Sequence, residues 1–252
     1  MSFLRHISHS SMSTWLQCPA KWAKRYIEKL PERRSLALAA GSVFHQTLAA
    51  ASSRRISLEA AMLLVPELVD AELRKEPVDA TPEEVTTTAL EYLSSYLPTF
   101  TALELTPQAV EQEFHLPIPG IPVRFLGYID LVARDKDGQL IVLDFKTAER
   151  RWDEGKVVRD MQHIPYVLAV SHALRVPPER VTFEFHVVTR SDVQRLAPPP
   201  LSPERTAWWQ GQVKTVVRAI EAGIFPANPD GWWCSPKFCP YYGQCLAVQG
   251  GN

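Results

Sequence analysis

The stretch 123–147, VRFLGYIDLVARDKDGQLIVLDFKT, consists of two apolar runs around a turn, and how it pairs decides the fold. Residues 123–134 are rich in Val, Phe, Leu, Tyr and Ile, and residues 139–147 likewise. Asp135-Lys136-Asp137-Gly138 between them is a strong hairpin signal. A three-residue loop, Lys136-Asp137-Gly138, with Gly138 in the left-handed conformation, pairs Asp135 with Gln139 and sets Asp130 opposite Asp144. Opposed residues share a face with Cβ atoms about 4.5–5.5 Å apart, so both carboxylates can reach one ion. Side chains on a strand repeat with period two, which puts Lys146 on the same face as Asp144.

Two carboxylates and a lysine suit metal-assisted hydrolysis of a phosphodiester. Asp130 and Asp144 would offer hard oxygen ligands to Mg²⁺ or Mn²⁺, leaving coordination positions for water and a phosphate oxygen. Lys146 would position or help deprotonate the attacking water, or neutralise charge on the phosphorane. The competing reading is a structural ion pair between neighbouring strands. Context argues against it: Leu140-Ile141-Val142-Leu143 and Phe145 mark a strand buried on at least one face, where charges are costly unless they serve a purpose.

Asp130, Asp144-x-Lys146 and the following Gln162-x-x-x-Tyr166 resemble the PD-(D/E)XK nuclease superfamily, and within it the RecB-like branch that includes the CRISPR-associated iron–sulfur nucleases. Gly41-Ser42-Val43-Phe44-His45 resembles that branch's upstream helix, whose histidine is a further metal ligand. Cys18 with Cys234, Cys239 and Cys245 resembles its split iron–sulfur cluster. The likeness runs from about Ser10 to Cys245. Two departures stand out. Four residues separate Cys234 from Cys239 where better-known members have two, and Ile129 replaces the proline of the superfamily's name.

The resemblance implies catalytic roles for Asp130, Asp144, Lys146, Gln162 and Tyr166, and metal ligation by His45, Asp130 and Asp144 with Mg²⁺ or Mn²⁺. It implies a [4Fe–4S] cluster on Cys18, Cys234, Cys239 and Cys245. The expected fold is α/β (α+β): a restriction-endonuclease-like αβββαβ core with a mixed sheet, an N-terminal helical insertion and a C-terminal iron–sulfur staple. The expected activity is a metal-dependent deoxyribonuclease, an exonuclease on single-stranded DNA or DNA with free ends, serving recombination, repair, phage or CRISPR-related processing. Protein partners in recombination or CRISPR adaptation would follow. The alternative is a non-catalytic nucleic-acid-binding or assembly subunit that keeps the fold, and the intact Asp130, Asp144 and Lys146 favour the enzyme.

Composition agrees with an intracellular enzyme. With 252 residues, 46% hydrophobic and 22% charged, the chain can bury a sizeable core. No membrane segment is visible. The opening Met1-Ser2-Phe3-Leu4-Arg5-His6 runs into serines without the apolar stretch of a secretory signal, so a reducing, cytoplasmic setting is expected. Four cysteines there read as metal ligands rather than disulfides. Thiolate-only ligation suits either [4Fe–4S] or structural Zn²⁺, although structural zinc usually shows tighter paired spacings. The formal charge of −1 decides nothing, since a local electropositive groove is enough for phosphate contacts.

The organisation expected along the chain is a single domain over 1–252, with a helical part over 10–100, a catalytic core over 108–190, a last helix over 203–222 and a cysteine-bearing tail over 225–246. Helices are predicted at Met12–Leu16, from Pro19 to about Leu30 and over Leu36–Ser53, the last carrying His45. Two more are predicted over 57–75 and 82–97, closed by breaks at Glu76-Pro77 and Leu97-Pro98. Lys21, Lys24, Arg25, Lys29, Arg33 and Arg34 form a basic run that reads as a solvated face or as part of a DNA path, with Trp22 and Tyr26 as core contacts. From Gln108 a strand alternates Val110, Phe114 and Leu116 with Glu111, Glu113 and His115. Glu111 there is either a supporting group of the site or a solvated side chain. One helix is expected over Lys156–Leu174, kinked at Pro165, with Gln162 and Tyr166 on one face. Val181–Val188 then returns in parallel to the catalytic strand. Trp208 and Trp209 are expected to pack, and Trp232, Trp233, Phe238, Tyr241 and Tyr242 to shield the cysteines.

Overall fold

The computed structural model describes residues 4–245 and residue 247. Met1-Ser2-Phe3 and Leu246, the end of the expected tail, lie outside the described residues. Strand β1 (His6–Ser8) leads into α1 (His9–Gln17), where the Ser8 hydroxyl caps the first turn by accepting from the Ser11 N–H. An extended Cys18 ends that helix, and Pro19 opens α2 (Pro19–Tyr26). Helix α2 stops at Tyr26 rather than near Leu30. Lys29 turns left-handed, with φ 52°, and the Leu30 N–H closes on the Lys24 carbonyl, which satisfies an otherwise orphaned acceptor.

Two short strands, β2 (Arg34–Ser35) and β3 (Val78–Asp79), pair in parallel. Between them in sequence come α3 (Leu36–Arg54), capped by Ser35, then α4 (Leu58–Met62) and α5 (Val65–Leu73). The single helix expected over 57–75 is therefore two, because Pro66 has no N–H to give a preceding turn and restarts the helix in its first turn. Helix α6 (Pro82–Ala102) opens on a capping box of Thr81 and Glu84 and runs straight through Pro98, where a break was expected. Pro98 forfeits one helical bond. Buried Tyr96 and half-buried Phe100, with ring centroids 6.0 Å apart, anchor the turns on either side of it against the core.

The strands β4 (Thr106–Pro117), β5 (Arg124–Arg134) and β6 (Leu140–Thr147) follow, then α7 (Glu154–Arg159), α8 (His163–Leu174), β7 (Val181–Val188), β8 (Val193–Leu196) and α9 (Pro203–Glu221). The helix expected over 156–174 is interrupted at Asp160–Gln162. Gln162 becomes the N-cap of α8, so Pro165 falls in the first turn, where a missing N–H costs nothing.

The chain divides into two compact units, and β4 and β5 each pass from one into the other. Arg34–Phe114 and Tyr128–Ser202 form the larger. Its sheet is mixed: β4 pairs with β5, β5 with β6 antiparallel, β6 with β7 parallel, and β7 with β8 antiparallel. Together with α6 and α8 these strands give the order αβββαβ. Period two sends Phe145 into the helical layer, against Tyr96 at 5.6 Å and Phe44 at 6.4 Å between ring centroids. Asp144 and Lys146 consequently project from the opposite face. Each fully buried aromatic or leucine here contributes about 1.5–3 kcal/mol, and Leu48, Leu93, Leu131 and Leu143 belong to the same cluster.

A polar chain crosses this core. Arg195 donates twice to Glu184, at 2.9 and 3.0 Å, His186 Nε2 lies 2.9 Å from Glu184, and Nδ1 meets the Tyr96 hydroxyl. Burial holds His186 below its ordinary value, so the neutral ring donates from Nε2 and accepts at Nδ1. Burial alone would raise Glu184, but the bonds from His186 and Arg195 outweigh it and pull the carboxyl to about 2.

In the smaller unit β1 runs parallel to the start of β5, with Ile7 paired to Phe125. Trp22 is buried, donates to the Ser11 hydroxyl at 2.8 Å and stacks on Phe225 at 5.6 Å. Trp209 of α9 packs against Phe125 at 5.0 Å. Its neighbour Trp208 departs from expectation, being 47% exposed beside the Arg205 guanidinium.

Two outcomes follow. A methyl group at Gly41 of α3 would stand 2.7 Å from Thr147 Oγ1 at the end of β6, a distance that forces something to move. Gly41→Ala should cost about 1–3 kcal/mol in urea unfolding, with Thr147→Ala in the same chain recovering most of it. Glu184, with its folded value depressed, adds stability that is fully present above pH 4.5 and is lost as pH falls through about 2. The urea midpoint of the native protein should fall further over that window than that of Glu184→Gln.

Candidate active site and cysteine pocket

The hairpin turn sets the register from which the site is built. Gly138 is left-handed at φ 77°, its N–H donates to the Asp135 carbonyl at 3.0 Å, and the Asp135 N–H donates to Gln139 at 3.1 Å. The ladder runs from Arg134↔Leu140 to Leu131↔Leu143, and its next step sets Asp130 opposite Asp144. Asp130 Oδ2 accepts from the Phe145 N–H at 2.7 Å, which ties this carboxylate to the neighbouring strand. Asp144 is almost wholly buried. Its Oδ2 pairs with Lys146 Nζ, and its Oδ1 accepts from Gln162 Nε2 at 2.8 Å. Gln162 also donates to the Tyr166 hydroxyl at 2.8 Å. Although the helix begins only after Gln162, the cap position and the first turn still bring these two side chains together.

His45 reaches the same place from α3. Its Nδ1 lies 3.4 Å from Asp130 Oδ2, and its ring packs edge-on to Phe44 and Phe145. The Gly41–Thr147 approach, one helical turn earlier, lets α3 come this close to the end of β6. Glu111 of β4 also arrives here. One ligand atom each of His45, Glu111 and Asp130 lies within 4.8 Å of the others, the one such group among the described residues. Sequence alternation left Glu111 undecided between the site and solvent. Its backbone is left-handed, φ 48°, and such a conformation re-aims a side chain out of strand alternation. No pattern of apolar and polar residues signals that.

The electrostatics couple these groups. Burial raises Asp144, repulsion from Asp130 adds to it, and the attraction of Lys146 offsets only part, leaving the carboxyl at about 7. Asp130 moves the other way: burial would raise it, but His45, Lys146 and the Phe145 N–H outweigh burial and lower it. In return, Asp130 holds His45 above its ordinary value against the pull of burial, and Asp144 and Asp130 do the same for Lys146. Burial and Asp130 raise Glu111, and burial with Asp144 raises Tyr166. Carboxylates crowded this way beside a histidine, with Asp144 buried and Glu111 open to solvent, fit a hard divalent cation, whose charge would relieve the repulsion between Asp130, Asp144 and Glu111.

The cysteines gather in the other unit. Cys18, Cys234, Cys239 and Cys245 line one pocket together with Trp233, Tyr241, Tyr242 and Lys21, and all four are free thiols. The tail is tied down by backbone and side-chain bonds: Ala20 N–H to the Pro226 carbonyl at 3.2 Å, Asn228 Nδ2 to Gln17 at 3.0 Å, and Tyr241 hydroxyl to Leu30 at 3.4 Å. Burial and the charges of Cys239, Cys18 and Cys245 push the Cys234 thiol up. Among the described residues no three sulfurs lie within 4.8 Å of one another. Of the five aromatic residues expected to shield this pocket, Trp232 and Phe238 do not line it. They are 70% and 46% exposed and pack on each other edge to face at 5.0 Å, because a short turn ending at Cys234 swings Trp232 outward.

Comparison with curated proteins returns no match. Among solved structures, one named "putative exonuclease", from Eubacterium rectale, aligns with a TM-score of 0.55 at 10% identity, over 91% of this chain and 87% of that one. A second, SSO0001, aligns with a TM-score of 0.40 at 14% identity over 89% and 92%. The first alignment supports the fold. The sequence model of the PD-(D/E)XK nuclease superfamily matches residues 6–246, nearly the whole length. With that match laid over a hairpin that carries Asp130, Asp144 and Lys146 on one face, the chain belongs to the PD-(D/E)XK nuclease superfamily.

Proposed function

We propose that this protein is a Mg²⁺- or Mn²⁺-dependent deoxyribonuclease acting from the ends of DNA, with single strands as its preferred substrate. The observation that carries the reading is the convergence of Asp130, Asp144 and Lys146 with His45 and Glu111 in a chain matched over nearly its whole length by a nuclease family. The name of the E. rectale structure and the resemblance to RecB-like exonucleases favour action at ends. Recombination, repair, phage or CRISPR-related processing are the settings such an activity would serve.

His45, Asp130 and Asp144 would hold the metal, with Glu111 as a further ligand. When bound, the ion supplies a Lewis acid for the phosphate oxygen and lowers the pKa of water. The protein does the rest. Lys146, held against Asp144, presents an ammonium where charge develops on the phosphorus oxygens. Gln162 fixes Asp144 from one side and the Tyr166 hydroxyl from the other, so Tyr166 is aimed at the same space. Phe44 and Phe145 pack edge-on against the His45 ring and back it.

We also propose that the four cysteines hold a [4Fe–4S] cluster that staples the tail to the N-terminal helices. The donor set is thiolate only, and the four residues share one pocket. Structural zinc on the same four thiolates is the competing occupant. A cluster that must survive with its thiolates reduced agrees with a cytoplasmic location.

Incubation with end-labelled linear and covalently closed circular single-stranded DNA, in Mg²⁺, Mn²⁺ or chelator, tests the first proposal. Linear strands should be degraded in either metal, circles spared, and chelator should stop the reaction. Asp144→Ala and Lys146→Ala should each lower the rate by at least ~10³-fold with unchanged circular dichroism. His45→Ala should instead raise the metal concentration for half-maximal rate. Full activity of Asp144→Ala would end the assignment of the site. For the cysteines, anaerobically purified protein should be brown with about four irons per chain, and Cys18→Ala should lose both colour and thermal stability. A colourless protein with one zinc would sink the cluster and leave the staple.

A further inference from the structure

The segment between β6 and α8 carries a cation that none of the roles above uses. Lys156, in α7, places its ammonium 3.7 Å from the centre of the Trp152 ring. Asp153 accepts from the Lys156 N–H as the helix cap and faces Arg159, Asp160 accepts from the Gln162 N–H, and both carboxylates attract the ammonium. The lysine thus rests on an aromatic face, a contact that holds an ammonium in place without cancelling its charge.

Trp152 is built in firmly. Its backbone N–H donates to Gln194 Oε1 at 2.8 Å and its carbonyl accepts from Gln194 Nε2 at 3.1 Å, a two-point clamp from a buried glutamine on β8. Its ring packs on Phe185 at 5.4 Å. The same Phe185 ring lies 6.0 Å from Lys146 Nζ, so Lys146 and Trp152 meet on one side chain. The charges agree with that placement, because Asp160 attracts both ammoniums and Lys146 repels Lys156. The clamp on Trp152 and the contact of its ring with Phe185 place a second positive charge within electrostatic reach of the one at the reaction centre, in the same unit of the fold.

We propose that Lys156, steadied by Trp152, forms a phosphate subsite that binds the backbone phosphodiester adjoining the one cleaved, and so positions the strand on the nuclease centre. The proposal rests on the nuclease reading for the identity of its ligand. Two like charges held near each other have one natural complement in such an enzyme, a run of phosphates. Lys146 takes the phosphate that reacts, and Lys156 holds its neighbour. Trp152 supplies the floor that keeps the long side chain from wandering, which lowers the entropy lost when the strand arrives.

The test uses the full-length protein and labelled oligodeoxythymidylate. Binding is followed by fluorescence anisotropy in chelator and cleavage by steady-state kinetics in Mg²⁺, both over a salt series. Lys156→Ala should weaken binding about tenfold and flatten the salt dependence by about one phosphate contact. In cleavage the loss should fall on KM rather than kcat, and the metal titration midpoint should stay where it is, unlike that of His45→Ala. Lys156→Arg should keep the salt slope. Trp152→Leu should weaken binding less than Lys156→Ala while keeping most of the slope. Binding and KM of a folded Lys156→Ala equal to those of the native protein would overturn the subsite. Lys156-dependent binding without any cleavage would sink the nuclease reading and leave the subsite standing, and absence of both binding and cleavage would sink both.

Discussion

The register of one hairpin is the constraint on which the rest depends. Asp130 faces Asp144 only because the loop between them has three residues and ends on a left-handed glycine. A slip of one residue would turn Asp144 and Lys146 into the aromatic core and push Phe145 out. Either error would strand two charges among Phe44, Tyr96 and His186, and the apolar cost of that holds the pairing as firmly as the turn does.

Once the register is set, the site becomes a balance of burial against mutual attraction. Asp130 is stabilised as an anion by His45, Lys146 and a backbone N–H, whereas Asp144, with Asp130 opposite, is pushed toward neutrality despite its lysine. The two carboxylates are chemically alike and their environments set them apart. Such a pair suits a cation, since a divalent charge would remove the repulsion between them. The helical layer serves the same end. Gly41 lets α3 lie against the end of β6, and His45, one turn on, arrives within reach of Asp130.

Much of this was legible in the chain as written. The hairpin, its register and the shared face of Asp130, Asp144 and Lys146 follow from turn chemistry and period two, which are local properties. So does the start of α3 at Leu36. Where local reading failed, packing had overruled it. Pro98 breaks no helix because Tyr96 and Phe100 are anchored on either side, and Pro165 kinks none because the helix starts later than its periodicity suggests. Trp208 and Trp232 are as apolar as Trp209 and Trp233, and only the fold decides which of each pair is covered.

By itself, then, the sequence determined the strand pairing, the residues on the catalytic face and the kinship with nucleases, because each is written in residues close together or in a motif. Tertiary structure alone decided that Glu111 joins His45 and Asp130, through a left-handed residue inside a strand. It also decided that Lys156 rests on Trp152, whose ring packs on the Phe185 that Lys146 approaches. These are contacts between side chains whose meeting depends on how whole elements pack. No local propensity encodes a distance across a fold.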